Sequence, residues 1–197
     1  MPDVFNVKQN ETKSEVFSMS NTTTKTMTSE RIKSMTIDAL LIALTLLATF
    51  FINIRLPIAA NGGLVHLGNV PLFIAAIIFG KRSGALAGAI GMGLFDLLSG
   101  WTLWAPFTFV IVGAMGFVVG LIFEKKHDHF VLWYIVAMLA ALALKIGGYY
   151  IAEAIIYGNW VAPLTSIPGN VVQVGTAAII SFPLVLAMRK LFPKKEA

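Results

Sequence analysis

Cysteine is absent from the 197 residues, which excludes disulfides, thiolate catalysis and cysteine-based metal sites. Charge is scarce as well. Asp, Glu, Lys and Arg make up 13% of the chain, against about 25% in a typical soluble domain. What charge there is crowds towards the ends. Nine of the 25 charged residues fall in residues 1–34 and five in residues 189–197, leaving 11 for the 154 residues between. So few cannot solvate the surface of a globular domain, and the middle reads as one integral membrane domain, residues 34–192. Soluble enzymes and nucleic-acid-binding domains are thereby excluded. The net charge of +5 sits in tails and short loops and is no footprint for nucleic acid. An early apolar run is also missing. The first begins only near Met35, after a segment rich in Ser, Thr and Lys. A cleavable signal peptide places its apolar core much sooner. Residues 1–33 therefore read as a polar cytoplasmic tail, expected to be disordered, and residues 193–197 as a short basic one.

Long apolar runs are what the chain does have. Six can be counted: Met35 to Ile52, Leu67 to Phe79, Ser83 to Leu98, Pro106 to Phe123, Phe130 to Ile156 and Ile167 to Leu191. The expected fold is therefore all-α, with six transmembrane helices. A hydrocarbon core needs roughly 20 helical residues, so the second run is short, and Pro71 near its start predicts an irregular entry.

Basic residues give the orientation. Arg31 and Lys33 precede the first run, Lys81 and Arg82 join the second to the third, and Lys125 and Lys126 join the fourth to the fifth. Arg189, Lys190, Lys194 and Lys195 follow the sixth. The alternate loops hold only Arg55 and His66. Every second loop is basic, which puts both termini in the cytoplasm. Small residues four apart, Gly84/Gly88, Ala85/Ala89 and Gly116/Gly120, predict close helix packing inside the bundle.

An ionisable group within a span costs at least about 2.5–3.5 kcal/mol at the bilayer centre, so each one calls for a reason. Asp38 can cap the start of its helix. Asp96, Lys145 and Glu153 lie deeper, and Lys145, Tyr149 and Glu153 share one helix face by their i, i+4, i+8 spacing. Arg55, His66, Asn69, Trp101, Trp104, Asn170 and Gln173 gather at the same outer ends. This asymmetry describes a polar, aromatic-lined pocket open to the outside, the form of a small-molecule site. The competing readings are an interfacial aromatic belt for the tryptophans and a buried ion pair for Lys145 and Glu153. Catalytic patterns are missing: there is no HExxH, no GxSxG and no P-loop. No metal or cofactor is implied, and the chain does not read as an enzyme. A small membrane enzyme acting on a lipid or isoprenoid, and a ligand-free assembly subunit, stand as rival classes.

The stretch His66-Leu-Gly-Asn-Val-Pro-Leu-Phe, then Phe79-Gly-Lys-Arg-Ser-Gly, then Gly91-Met-Gly-Leu-Phe-Asp-Leu-Leu-Ser-Gly-Trp101 resembles the second and third spans of a known family. These are the substrate-binding S components of energy-coupling factor (ECF) vitamin transporters. Ala39-Leu-Leu-Ile-Ala43 is similar to the family's AxxxA patch. The resemblance covers residues 34–192 and implies a division of labour. The S component binds a water-soluble vitamin from outside, and a transmembrane T component with two cytoplasmic ATPases powers its delivery. It also implies that Ala39 and Ala43 face the T component, that the chain is a multi-pass protein of a bacterial plasma membrane, and that it stands nearest the hydroxymethylpyrimidine or pyridoxine branch. Pantothenate and riboflavin-like cargoes are close alternatives. A flat ring would stack on Trp101, Trp104 or Tyr149. A carboxylate cargo would need Arg55 or Lys145 free to pair with it.

Overall fold

The computed structural model describes residues 3–55, 64–125 and 129–191, with the side chains of 3–26 and of Arg55 outside the description. Lys126, His127, Lys194 and Lys195 lie outside the described residues. Contacts group the chain into two units, Met1–Ile37 and Asp38–Ala197. Helix α1 spans Asp3–Phe51 and so takes in the polar segment expected to be a disordered tail. No Gly or Pro interrupts that stretch, so nothing in it breaks a helix. A short antiparallel hairpin follows: β1 (Asn53–Arg55) pairs with β2 (Leu64–His66), Arg55 opposite Leu64 and Asn53 opposite His66.

Helix α2 (Asn69–Ile74) runs into a π-helical stretch, Ala75–Phe79. The irregularity expected near Pro71 is thus displaced to the far end of this segment; Pro71 sits in the first turn of α2, where its missing N–H costs no helical bond. Gly80, at φ +96°, makes the joint to α3 (Lys81–Leu86), a conformation open mainly to glycine. A second π-helical stretch, Ala87–Met92, links α3 to α4 (Gly93–Leu98). Helix α5 is Ala105–Glu124 and α6 is Phe130–Tyr157, which ends on Gly158 in the left-handed conformation. A 3-10 turn, Ala162–Ser166, leads into α7 (Ile167–Leu191).

Among the described residues four helices are long and apolar enough to cross a membrane: Met27–Phe51, Ala105–Glu124, Phe130–Tyr157 and Ala162–Leu191. They match the first, fourth, fifth and sixth runs of the sequence. The second run is a shorter apolar helix, Asn69–Phe79, and the third is the interrupted stretch 81–98.

Glycine spacing sets the packing of α3 on α5. A Cβ on Gly116 would collide with the Gly84 carbonyl, and one on Gly84 would lie 2.8 Å from the Gly116 carbonyl. Farther along, a Cβ on Gly88 would come 2.6 Å from the Val112 carbonyl. Backbone therefore meets backbone along this crossing, as small-residue spacing in membrane helices allows. Leu72, Phe73, Val112, Met115 and Val119 fill the core beside it. Between α6 and α7, the Tyr134 hydroxyl lies 2.7 Å from both the Ala178 carbonyl, to which it donates, and Ser181 Oγ.

The inward face of α1 within the second unit is Asp38, Leu41, Thr45 and Thr49, all buried. The Ser83 hydroxyl donates to Asp38 Oδ1 at 2.5 Å, and Arg82 Nε stands 4.0 Å from Oδ2. The sequence reading of Asp38 as a cap is thereby replaced by a tie between α1 and α3. Ala39 and Ala43 lie on the opposite, exposed face, beside Leu40 and Leu44.

Candidate small-molecule site

Hairpin strand β2, the end of α4, the turn into α5, the middle of α6 and the start of α7 surround one cavity of about 660 Å³, its open mouth included. Nine residues singled out from the sequence line it: His66, Asp96, Trp101, Trp104, Lys145, Tyr149, Glu153, Asn170 and Gln173.

Each wall has a local cause. Helical spacing stacks Lys145, Tyr149 and Glu153 along one side of α6. Eight residues of helix rise about 12 Å, so Lys145 and Glu153 mark opposite ends of that wall. Glu153 Oε2 accepts a 2.6 Å hydrogen bond from Ser166 in the 3-10 turn, which ties the far end of α6 to the approach to α7. Asp96 comes from the last turns of α4. Thr108, on the first turns of α5, lies 2.9 Å from the Tyr149 hydroxyl. Trp101 and Trp104 pack edge to face at 5.3 Å in the α4–α5 turn, and Trp104 meets Tyr157 at 6.1 Å. These rings supply flat apolar surface, while the carboxylates and amides supply directional contacts.

The hairpin covers one side. Gln173 Nε2 donates to the His66 carbonyl at 3.4 Å, and the His66 ring stands 6.1 Å from Phe95. Burial, and secondarily the Lys145 charge, hold the His66 imidazole well below its usual pKa, so the ring is neutral at pH 7. The Gly68 N–H donates to Nδ1 at 3.3 Å, which requires that nitrogen to be unprotonated and places the proton on Nε2.

Lys145 is 2% exposed. Among the described residues its ammonium has neither ion pair nor hydrogen bond; the Tyr149 ring stands 5.2 Å from Nζ to the centroid, and the Asp96 carboxylate acts on it across the cavity. The buried Lys145–Glu153 pair that rivalled the pocket reading is therefore not formed.

Two sequence candidates are placed differently. Asn69, at the first turn of α2, is fully buried outside the cavity lining, with no partner among the described residues for either amide atom. The Arg55 side chain lies outside the described residues, although its backbone pairs with Leu64, which lines the cavity. Five lining residues carried no signal in the sequence: Leu64, Phe95, Thr108, Ser166 and Gly169. Thr108 was the most findable, since it lies one helical turn beyond the Trp104 that was singled out. Among the described residues no group of three His, Asp or Glu could hold a metal ion.

A helical membrane bundle with an open-mouthed, aromatic-lined polar cavity is the form of a solute-binding membrane protein. The family model for the S component of ECF-type riboflavin transporters matches residues 29–190, and the chain belongs to that family. It is therefore a membrane S component for vitamin uptake. Over 170 residues, 86% of this chain and 93% of the relative, it is 29% identical to the thiamine precursor transporter HmpT of Lactococcus lactis subsp. cremoris (strain MG1363). A protein from the gap 3′ region of Pyrococcus woesei is 30% identical over 138 residues, 70% of this chain and 90% of that protein. The fold is shared with the S component of a bacterial ECF transporter, at a TM-score of 0.68 and 16% identity, covering 83% of this chain and 99% of that one. A biotin S component of an ECF-type ABC transporter aligns at a TM-score of 0.61 and 17% identity, covering 86% and 94%.

Proposed function

We propose that this protein captures a small water-soluble vitamin from outside a bacterial plasma membrane and hands it to partner subunits for ATP-driven import. Hydroxymethylpyrimidine is the first cargo and pyridoxine the second. The observation that carries the reading is the cavity itself: Trp101, Trp104 and Tyr149 offer flat faces, and Asp96, Lys145, Glu153, Asn170 and Gln173 offer polar contacts around them. Likeness to a thiamine precursor transporter supports a single-ring cargo. Pantothenate is the alternative, because Lys145 is free to receive a carboxylate.

In this reading the chain crosses the membrane six times with both termini in the cytoplasm. The short helix Asn69–Phe79 and the stretch 81–98 act as the second and third spans. The basic pairs at Lys81–Arg82 and Arg189–Lys190 support that orientation. Residues 99–105 close over the ligand; the other loop expected to do so, 54–66, lies outside the described residues over 56–63. The exposed Ala39–Ala43 face docks on a T component. His66 contacts the ligand from the hairpin side of the site.

Labelled hydroxymethylpyrimidine uptake, in cells making this chain with a T component and two ATPases, tests the proposal. Uptake is expected to fall to background when either ATPase is omitted. Undiminished uptake without them would contradict it.

A further inference from the structure

The two ends of the α6 wall are chemically opposite, and this polarity has a consequence for the cargo. At the inner end, Lys145 near the middle of α6 is 2% exposed, faces the cavity and lacks an acceptor among the described residues. The nearest opposing charge is the Asp96 carboxylate of α4, which acts on Lys145 across the cavity without forming an ion pair, so a ligand acceptor still removes part of the cost of burying the ammonium. Some 12 Å farther along the helix, Glu153 gives Oε2 to Ser166. Its Oε1 is left without a partner among the described residues, ready for a donor. Between them lies Tyr149, held by Thr108.

We infer that the site selects a single six-membered heteroaromatic ring with a ring-nitrogen acceptor para to a donor substituent. The nitrogen points inward to Lys145 and the donor outward to Glu153. This rests on the vitamin-capture reading and sharpens it. In 4-amino-5-hydroxymethyl-2-methylpyrimidine, N1 is para to the 4-amine. In pyridoxine, the ring nitrogen is para to a hydroxymethyl group. Both rings present the same axis, so one pair of side chains recognises either. A ligand acceptor on Lys145 replaces the missing ion pair, while an amine or hydroxyl on Glu153 makes a charge-assisted hydrogen bond.

The test is a titration of the purified full-length protein with this pyrimidine and two analogues. One analogue carries CH in place of N1, and the other lacks the 4-amine. Loss of N1 is expected to weaken wild-type binding by about 10- to 100-fold, the range for a hydrogen bond to a charged group. The same loss should cost Lys145→Met little, because the partner is already gone. Loss of the amine should show that coupling with Glu153→Gln instead. Lys145→Arg should restore sensitivity to N1.

Additive losses, or couplings exchanged between the two residues, would overturn the assigned orientation while leaving the cargo intact. A wild-type protein that does not bind the parent pyrimidine would overturn the cargo and this assignment together. Should Lys145→Met fail to fold, equal wild-type affinity for the parent and the N1-to-CH analogue would overturn the inference without it.

Discussion

Replacing Ala39 or Ala43 with Trp is expected to abolish vitamin uptake by the assembled transporter while leaving ligand affinity of the isolated protein unchanged. The two alanines lie on the exposed face of α1, opposite Asp38, Leu41, Thr45 and Thr49. Small side chains there let a partner helix approach closely, and van der Waals packing at short range is what drives helix association in lipid. An indole would hold the helices apart and forfeit most of those contacts. Both alanines are exposed and neither lines the cavity, so the cavity is spared. Co-purification of partner subunits with each variant, together with titration of the variant alone, separates the two effects. Loss of binding in the isolated variant would show that the face supports the site and is not a docking surface.

The second large effect is on folding. Gly116→Leu is expected to prevent accumulation of folded protein, or to lower its melting temperature sharply. The new side chain would start inside the Gly84 carbonyl. Overpacking costs about 1–3 kcal/mol where neighbouring side chains can turn aside. Here the obstacle is backbone of α3, itself held at Gly80 and by the 2.8 Å Lys81–Glu124 ion pair, so relaxation requires α3 and α5 to separate. Gly147→Ala is the control. A Cβ there meets nothing within 4 Å, and helix propensity favours Ala over Gly by up to about 1 kcal/mol. Equal melting temperatures for Gly116→Leu and wild type would refute this account of the α3–α5 crossing.

Much of this architecture was legible before any coordinates. Scarcity of charge between residues 35 and 188 marked the membrane domain, and helical periodicity alone put Lys145, Tyr149 and Glu153 on one face. The glycine pairs Gly84/Gly88 and Gly116/Gly120 correctly pointed to close packing. Other features depend on tertiary geometry that spacing does not encode. Ser166 reaches Glu153 only because the chain turns back through a 3-10 segment. Asn69 looked like a pocket residue because it follows His66 closely, yet the turn at Gly68 rotates it into the interior. The π-helical stretches at Ala75–Phe79 and Ala87–Met92 have no composition signal. That Lys145 does not pair with Glu153 follows from depth, since Glu153 on the same face lies two turns away, and the carboxylate that acts on Lys145 is instead Asp96 of α4.

Native mass spectrometry of the detergent-purified protein tests the central claim most directly, because a site built to hold a vitamin tightly retains it through purification. The account predicts a bound small molecule with the mass of hydroxymethylpyrimidine or pyridoxine, and loss of that mass in Glu153→Gln. A pantothenate mass would keep the transporter and replace its cargo. An empty protein that also binds no member of a vitamin panel would contradict the account.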